Sequence, residues 1–232
     1  MREIVFDTET TGLNPAAGDR MVEIGCIEMY NRVETGRHFH AYFNPERLMP
    51  SDAEAVHGLT TIFLSDKPLF SEKANELLEF IGDSPLVAHN ASFDFGFLNL
   101  ELERCGLPLV CAGRMVDTLQ IARTRHPGAK HSLDALCLRF GIDRSQRVKH
   151  GALLDAQLLA QVYVELTGGR QIGLGLVADA GTVAVQSATR PVTVREPRPV
   201  RPHFAGEEEL ARHRAFISRL INPLWARFAS AG

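Results

Sequence analysis

Two acidic residues follow a short run of β-forming residues at the start of the chain. Residues 2–6 (Arg-Glu-Ile-Val-Phe) predict a buried strand, and Asp7 and Glu9 come next, before a turn at residues 10–15. Because side chains alternate along a strand, both carboxylates should point to the same side. They repel each other unless a cation lies between them, and hard oxygen ligands suit Mg²⁺ or Mn²⁺. Taken alone, such a pair is more often two solvated acids.

A third acid lies at the predicted start of a helix. Residues 85–89 predict a second buried strand, residues 90–92 a turn, and an apolar stripe through Phe97, Leu98 and Leu102 predicts the helix that follows. Asp94 therefore lies in the first turn of this helix, close to a strand end. The helix dipole alone also favours an acid at this position, so a purely structural role is the alternative.

The fourth acid and a histidine lie at the beginning of another helix. Leucines and a valine at residues 153–162 predict an apolar helix that ends at Thr167-Gly168-Gly169. Asp155 stands among these leucines, where a buried acid needs a partner or a metal. His150 would point about 140° away from Asp155 on one continuous helix. We therefore predict that His150 lies in the loop before the helix, where an imidazole can approach a bound water and accept its proton.

Together, the four acids and the histidine resemble the DEDDh exonucleases, the DnaQ-like branch of the ribonuclease H-like superfamily. The resemblance spans nearly all of residues 1–169 and lies in five motifs: residues 7–12 (Asp-Thr-Glu-Thr-Thr-Gly), 57–58 (His-Gly), 89–94 (His-Asn-Ala-Ser-Phe-Asp), 131–136 (His-Ser-Leu-Asp-Ala-Leu) and 150–156 (His-Gly-Ala-Leu-Leu-Asp-Ala). It implies a mixed five-stranded sheet flanked by helices and a metal-dependent 3′–5′ exonuclease. The sister branch has tyrosine where this chain has Gly151, so the histidine branch is the match.

The resemblance also implies a role for each matching residue. Two divalent ions, Mg²⁺ or Mn²⁺, would be held by four carboxylates: Asp7, Glu9, Asp94 and Asp155. His150 would be the general base. The substrate would be contacted by three of these acids and four further residues: Asp7, Glu9, Thr10, Leu13, Asp52, His57 and Asp155. Asp52 stands where the proofreading relatives have a glutamate, which leaves its contact open.

The remaining pattern predicts a mixed α/β domain. The chain has 232 residues, 45% of them hydrophobic, which is enough for one sizeable core. Strands are expected at 21–29 and 38–43, joined by a turn at 34–36, and helices at 51–57, 71–81, 117–126 and 132–140. The stretch 123–149 is rich in Lys and Arg, Arg147 among them, and predicts either a nucleic-acid-binding patch or a solvated helical face.

The composition changes after Gly169. Residues 170–203 become rich in alanine, valine, threonine, arginine and proline, which predicts a flexible linker between an exonuclease domain at 1–169 and a C-terminal segment at 204–232. In that segment, residues 207–221 predict a helix that begins with three glutamates. Its apolar residues are too many for so short a segment to bury alone: Leu210, Ile217, Leu220, Ile221, Trp225 and Phe228. We expect them to bind a partner; packing against the exonuclease domain is the alternative.

Within the family, residues 150–155, the Thr-Gly-Gly sequence and the C-terminal extension resemble the proofreading exonucleases of bacterial DNA polymerase III. This implies a single-stranded or frayed 3′ end of DNA as substrate and the polymerase alpha subunit as the partner of 204–232. Residues 171–176 resemble the short peptides that bind the sliding clamp, although the pattern is weak and Leu176 replaces the usual aromatic. Whether a small theta-like subunit binds the exonuclease domain is left open.

Two other functions fit parts of the same pattern. One is an RNA-trimming exoribonuclease of the ribonuclease T or oligoribonuclease type, and the other is an inactive scaffold that keeps the fold. Those exoribonucleases are generally compact, without a proline-rich extension. The sequence contains no apolar run of membrane-spanning length and no leader after Met1, which predicts a cytoplasmic protein without membrane contact.

Overall fold

The computed structural model describes residues 1–145, 147, 149–168 and 204–220. The chain divides into two units, Met1–Leu176 and Val177–Gly232, and each is described by itself. The predicted linker at 170–203, with its candidate clamp peptide at 171–176, lies outside the described residues. So do three apolar residues of the predicted C-terminal surface: Ile221, Trp225 and Phe228.

The first unit combines strands and helices into the mixed α/β domain that the sequence predicts, with a strand at Met115–Asp117 and a helix at Thr61–Leu64 that the sequence did not indicate. The strands are β1 (Arg2–Thr10), β2 (Met21–Tyr30), β3 (Val33–Tyr42), β4 (Leu86–Ala88) and β5 (Met115–Asp117). The helices are α1 (Ser51–His57), α2 (Thr61–Leu64), α3 (Phe70–Ile81), α4 (Ala91–Arg104), α5 (Thr118–Arg125), α6 (Leu133–Phe140) and α7 (Ala152–Leu166).

The strands form one mixed sheet in the order β3-β2-β1-β4-β5, which confirms the predicted five-stranded sheet. β1 pairs with β2 in antiparallel and with β4 in parallel orientation, and β4 continues in parallel to β5. The carboxyl ends of β1, β4 and β5 therefore meet at one edge. Helices α4 and α5 begin at this edge, so residues in their first turns lie near the end of β1.

The turn between β2 and β3 differs from the prediction. The chain reverses at Asn31 and Arg32, both with positive φ (50° and 66°), as a two-residue hairpin turn requires. The predicted turn at 34–36 is wrong, because those residues belong to β3. Most side chains of this edge strand are exposed, so its sequence lacks the apolar alternation that would mark it as a strand.

Helices cover β1 on both faces. Ile4 and Phe6 pack in one cluster with residues of α3 and α4, whereas Val5 packs in another with Ala156 and Leu159 of α7. Even-numbered residues of β1 therefore face α4, and odd-numbered residues face α7. The same alternation directs the side chains of Asp7 and Glu9 toward α7.

Gly25 allows α7 to approach the sheet closely. It is the β2 partner of Asp7, and a Cβ atom at Gly25 would lie 2.4 Å from the Cα of Leu153. Any larger residue would collide with the backbone of the first turn of α7. The glycine therefore lets this turn, which carries Asp155, rest directly beside the acidic part of β1.

The second unit contributes one described helix, α8 (Glu207–Ile217), which confirms the helix predicted there over these residues. The Glu209 side chain accepts a hydrogen bond from the backbone N–H of Gly206 and so stabilises the helix start. None of its described residues is buried, and Leu210 and Phe216 are 41% and 60% exposed. Among the described residues, no helix is long and apolar enough to cross a membrane.

Candidate active site

All five predicted catalytic and metal-binding residues line one cleft of about 260 Å³ at the carboxyl end of β1. Asp7 and Glu9 come from β1, Asp94 from the first turn of α4, and Asp155 from the first turn of α7. His150 precedes Gly151, the residue that caps α7, so it lies in the loop where the sequence places it. Three separate segments of the chain therefore meet in this cleft.

Asp94 is held in place by a hydrogen bond from the face of β1 that packs against α4. It is 3% exposed, and its Oδ1 accepts a hydrogen bond of 2.7 Å from Thr8 Oγ1. Thr8 stands between Asp7 and Glu9, so alternation turns its hydroxyl toward α4. Burial raises the pKa of Asp94 to about 7, an effect that the hydrogen bond from Thr8 partly offsets.

The two acids of β1 are held in a setting that opposes their ionisation. Desolvation raises the pKa of Asp7 well above its ordinary value, and repulsion from Asp94, Glu9 and Asp155 adds to this. Burial raises the pKa of Glu9 to about 8, with further contributions from Glu23 and Asp155. Carboxylates arranged in this way need a cation to remain charged at neutral pH.

His150 lies at the open side of the cleft. Its imidazole is 47% exposed, and Nδ1 is 3.2 Å from Asp155 Oδ2. Its backbone N–H donates to the carbonyl of Val56, which ties the loop to α1. Donor atoms of Glu9, His150 and Asp155 lie within 4.8 Å of one another, close enough to bind one ion. The position would serve a base or a ligand equally well.

Arg147 is the main residue of the site that the sequence did not reveal. Its side chain is 9% exposed, and its Nε and Nη2 donate to the two carboxylate oxygens of Asp155 at 2.5 and 2.6 Å. Assigning Arg147 to a solvent-facing basic patch is therefore wrong. The stretch 123–149 holds several basic residues. Their spacing in the sequence does not indicate which of them has a side chain that points into the cleft.

The chemistry of the donors fits divalent cations. Four carboxylates and an imidazole offer the oxygen and nitrogen ligands that Mg²⁺ and Mn²⁺ accept. In this structure the guanidinium of Arg147 supplies positive charge to Asp155, in the place where a metal ligand would meet its ion. A buried acid in an acidic cleft needs positive charge beside it, which Arg147 supplies here and which a bound metal ion would also supply.

The four residues expected to contact only the substrate do not line the cleft as the described residues form it. Thr10 is buried and donates to the carbonyl of Gly12 at 2.6 Å, whereas Leu13 is 84% exposed just beyond β1. Asp52 is exposed on α1. His57 is buried at the end of α1, where Nδ1 accepts from Leu59 N–H and Nε2 has no hydrogen-bond partner among the described residues. Their roles stay predictions.

The cleft has other lining residues to which the sequence assigned no role. They are Thr8, His89, Phe93, Ser132, Leu133 and Asp134. Several stand inside the motifs at residues 7–12, 89–94 and 131–136, so the motifs mark the right segments. Which side chains face the cleft depends on how the segments pack, which the motifs do not specify.

Comparisons with known proteins agree with this fold. The sequence model of the Exonuclease family (RNase_T) matches residues 4–163. Among solved structures, exonuclease X in complex with 5′-overhanging duplex DNA is 26% identical, with a TM-score of 0.54 over 71% of this chain and 90% of that one. The zinc-bound complex of Escherichia coli exonuclease I with single-stranded DNA is 20% identical, with a TM-score of 0.62 over 73% of this chain and 41% of that one, and it supports the fold alone.

The matches to relatives extend beyond the exonuclease domain. The DNA polymerase III subunit epsilon of Rickettsia felis is 50% identical over 224 residues, covering 95% of this chain and 97% of that protein. The subunit of the same name from Escherichia coli K12 is 44% identical over 224 residues, covering 92% and 91%. The chain belongs to the DnaQ-like exonuclease family. It is a 3′–5′ exonuclease of the DNA polymerase III epsilon type.

Proposed function

We propose that this chain proofreads for a replicative DNA polymerase by removing mismatched 3′-terminal nucleotides as 5′-monophosphates. The observation that carries the proposal is the single cleft that brings together four acids and a histidine from three segments of the chain. Relatives named as subunits of DNA polymerase III match over nearly the whole length, which supports the polymerase as partner.

The carboxylates would act by holding two divalent ions, Mg²⁺ or Mn²⁺. Asp7, Glu9, Asp94 and Asp155 are the proposed ligands, since all four line the cleft. Bound ions would lower the pKa of the attacking water and offset negative charge on the phosphate. Thr8 would keep Asp94 in position, because its hydroxyl donates a hydrogen bond to one carboxylate oxygen.

His150 would take the proton from the attacking water. Its imidazole lies at the open side of the cleft and is 47% exposed, so water can reach it without passing through the core. It lies in a loop before α7, whereas the carboxylates lie on β1 and in the first turns of α4 and α7. A positioned base of this kind contributes roughly 10²- to 10⁴-fold to the rate.

The terminal nucleotide would be held beside the cleft by residues at and just after the end of β1 and by residues of α1. Leu13 is the most suitable of them, because an apolar side chain that is 84% exposed can stack against a base. Thr10 and His57 would contact the sugar or phosphate, and Asp52 would reach them from the surface of α1. Asp7, Glu9 and Asp155 would meet the substrate through the ions.

The C-terminal part would connect the nuclease to the replication machinery. We place the exonuclease domain at 1–169, a linker at 170–203, and a segment at 204–232 that binds the polymerase alpha subunit. Leu210 and Phe216 of α8 are exposed, which leaves both apolar side chains available for such a contact. A sliding-clamp contact through residues 171–176 and a theta-like subunit on the exonuclease domain are finer proposals of the same kind.

One assay separates this function from its alternatives. A 3′-labelled DNA primer with a terminal mismatch is incubated with the full chain and Mn²⁺, beside an RNA oligomer of the same sequence and a control with EDTA. We expect metal-dependent release of labelled 5′-monophosphate from DNA. Faster release from RNA would indicate the exoribonuclease, and no release from either would indicate an inactive scaffold.

A further inference from the structure

The Arg147 side chain contacts three residues of the cleft: the proposed metal ligand Asp155, the proposed base His150, and Asp134. Its guanidinium forms a two-pronged contact with both oxygens of Asp155, and Nη2 also lies 2.8 Å from His150 Nδ1. The third nitrogen, Nη1, reaches Asp134 of α6 at 2.9 Å. All three nitrogens of one buried guanidinium are therefore used within the cleft.

These contacts compete with a metal ion for Asp155. Both oxygens of the Asp155 carboxylate accept short hydrogen bonds from the guanidinium. An ion that binds either oxygen must therefore compete with the positive charge of Arg147. The ion and the guanidinium bring the same charge to the same atoms, so they cannot both bind Asp155 at full strength. Binding of the ion must be coupled to movement of Arg147.

The same contacts restrain His150. A guanidinium can only donate hydrogen bonds, so Nδ1 of His150 accepts, and a neutral imidazole then carries its hydrogen on Nε2. In this state neither ring nitrogen offers a free lone pair to an attacking water. The base therefore becomes available only when Arg147 has left it.

We propose that Arg147 is the countercation of the metal-free site and that a divalent ion must displace it from Asp155 before the site is competent. This inference rests on the proposed metal-binding role of Asp155. Arg147 is a positioning residue: it holds Asp155 and His150 together when no ion is present. Its contact with Asp134, which also binds Arg144 at 2.7 Å, gives the displaced side chain an anchor at the rim.

The test is the affinity of the full chain for Mn²⁺, measured by isothermal titration calorimetry after removal of metal with EDTA. Arg147→Gln should bind Mn²⁺ more tightly, roughly tenfold, because the ion no longer competes with a conformation that blocks the site. Arg147→Lys keeps a charge but loses the two-pronged contact, so its affinity should be intermediate. Arg144→Gln is the matched control: it loses a contact with Asp134 but none with Asp155, and its affinity should equal that of the wild type.

A second measurement follows the displacement directly and needs no activity. In side-chain NMR spectra, the Nε–H signal of Arg147, identified by its loss in Arg147→Gln, should shift when Mg²⁺ saturates the protein. Wild-type Mn²⁺ affinity in both Arg147 variants, or a signal unmoved at saturating Mg²⁺, overturns the inference. If Asp7→Ala abolishes nuclease activity while Arg147→Gln binds Mn²⁺ as the wild type does, only this inference fails. If Asp7→Ala stays active, the proposed function itself fails.

Discussion

At the scale of single residues, the cleft brings together acids whose negative charges repel one another. Asp7, Glu9 and Asp94 all have raised pKa values, with desolvation as the first cause in each. Raised pKa values of this kind mark functional sites more often than structural ion pairs. The site therefore lowers the stability of the metal-free protein near neutral pH, and bound metal should restore it.

The pH dependence of stability follows with a definite sign. The folded-state pKa values of Glu9 (about 8) and Asp94 (about 7) lie above those of unfolded carboxyls. Their contribution is fully present below about pH 4 and is lost as pH rises toward 8, on the order of a few kcal/mol. Thermal unfolding in EDTA should show Tm falling from pH 5.5 to 8, and less so in Glu9→Gln. Equal slopes in both proteins would contradict the assignment.

Asp7→Ala should abolish nuclease activity and leave the protein folded. The lost carboxylate is a proposed metal ligand, while its removal also relieves repulsion among the remaining acids. Activity on the mismatched primer and the circular dichroism spectrum give the two readouts. Asp83→Ala, an exposed acid in the turn after α3, is the control and should keep full activity. Near wild-type digestion by Asp7→Ala would remove the basis for the two-metal site.

His150→Ala separates a base from a ligand. As a base, His150 contributes to the rate alone, so the variant should lose on the order of 10²- to 10⁴-fold in kcat. Its Mn²⁺ affinity by calorimetry should stay close to that of the wild type. Loss of Mn²⁺ binding would instead make His150 a ligand together with Glu9 and Asp155, an arrangement that their donor distances also permit.

At the scale of elements, the position of α7 on the sheet decides the geometry of the site. The helix carries Asp155 and approaches β2 so closely that Gly25 has no room for a side chain. The odd-numbered residues of β1 face the same helix. A shift of α7 along or away from the sheet therefore changes the distance between Asp155 and the acids of β1.

Gly25→Ala should weaken both stability and metal binding. The added methyl group would meet backbone atoms of Leu153 at 2.4 Å, so α7 must move, at a cost of roughly 1–3 kcal/mol. Gly96→Ala is the matched control: this helical glycine has only an ordinary contact at 3.9 Å, and alanine should stabilise α4 by about 1 kcal/mol. Urea unfolding and Mn²⁺ titration measure both effects. Unchanged Mn²⁺ affinity in Gly25→Ala would show that the site tolerates movement of α7.

Several elements were predictable because their sequences combine apolar periodicity with clear end signals. α6 is an example, since Ser132 caps its start by accepting from Ala135 N–H and Gly141 ends it with positive φ. β5 was not located, because Met115–Asp117 is too short for any periodicity. The five residues in the cleft were predictable from their motifs. Arg147 was not, because the direction of its side chain is set by Asp155 and Asp134, which reach it from two different helices.

At the scale of the whole molecule, every residue proposed for catalysis lies in the first unit, and α8 lies in the second. The proposed function assigns catalysis to the first unit and attachment to the C-terminal segment. A flexible linker would keep the nuclease attached near the primer end without fixing its orientation. It would therefore raise the local concentration of the nuclease at the primer end. Catalysis and attachment should then be separable.

The fragment 1–169 should digest single-stranded DNA at the rate of the full chain but should not form a stable complex with the polymerase subunit. A full-length variant with Leu210→Ala and Phe216→Ala tests the same point with less change, since both residues are exposed on α8. It should keep the nuclease rate and elute apart from the polymerase in size-exclusion chromatography. Co-elution of the fragment with the polymerase at full-length affinity would instead place the contact on the exonuclease domain.

The cleft draws its acids from β1, from α4 and from α7, which is the last helix among the described residues of the first unit. A ribosome must therefore synthesise the chain through α7 before all four carboxylates can lie in one cleft. A chain that is still being synthesised, or a misfolded copy, should therefore lack the complete set of acids that the proposed chemistry needs. Nuclease activity should then be found only in molecules whose fold is complete.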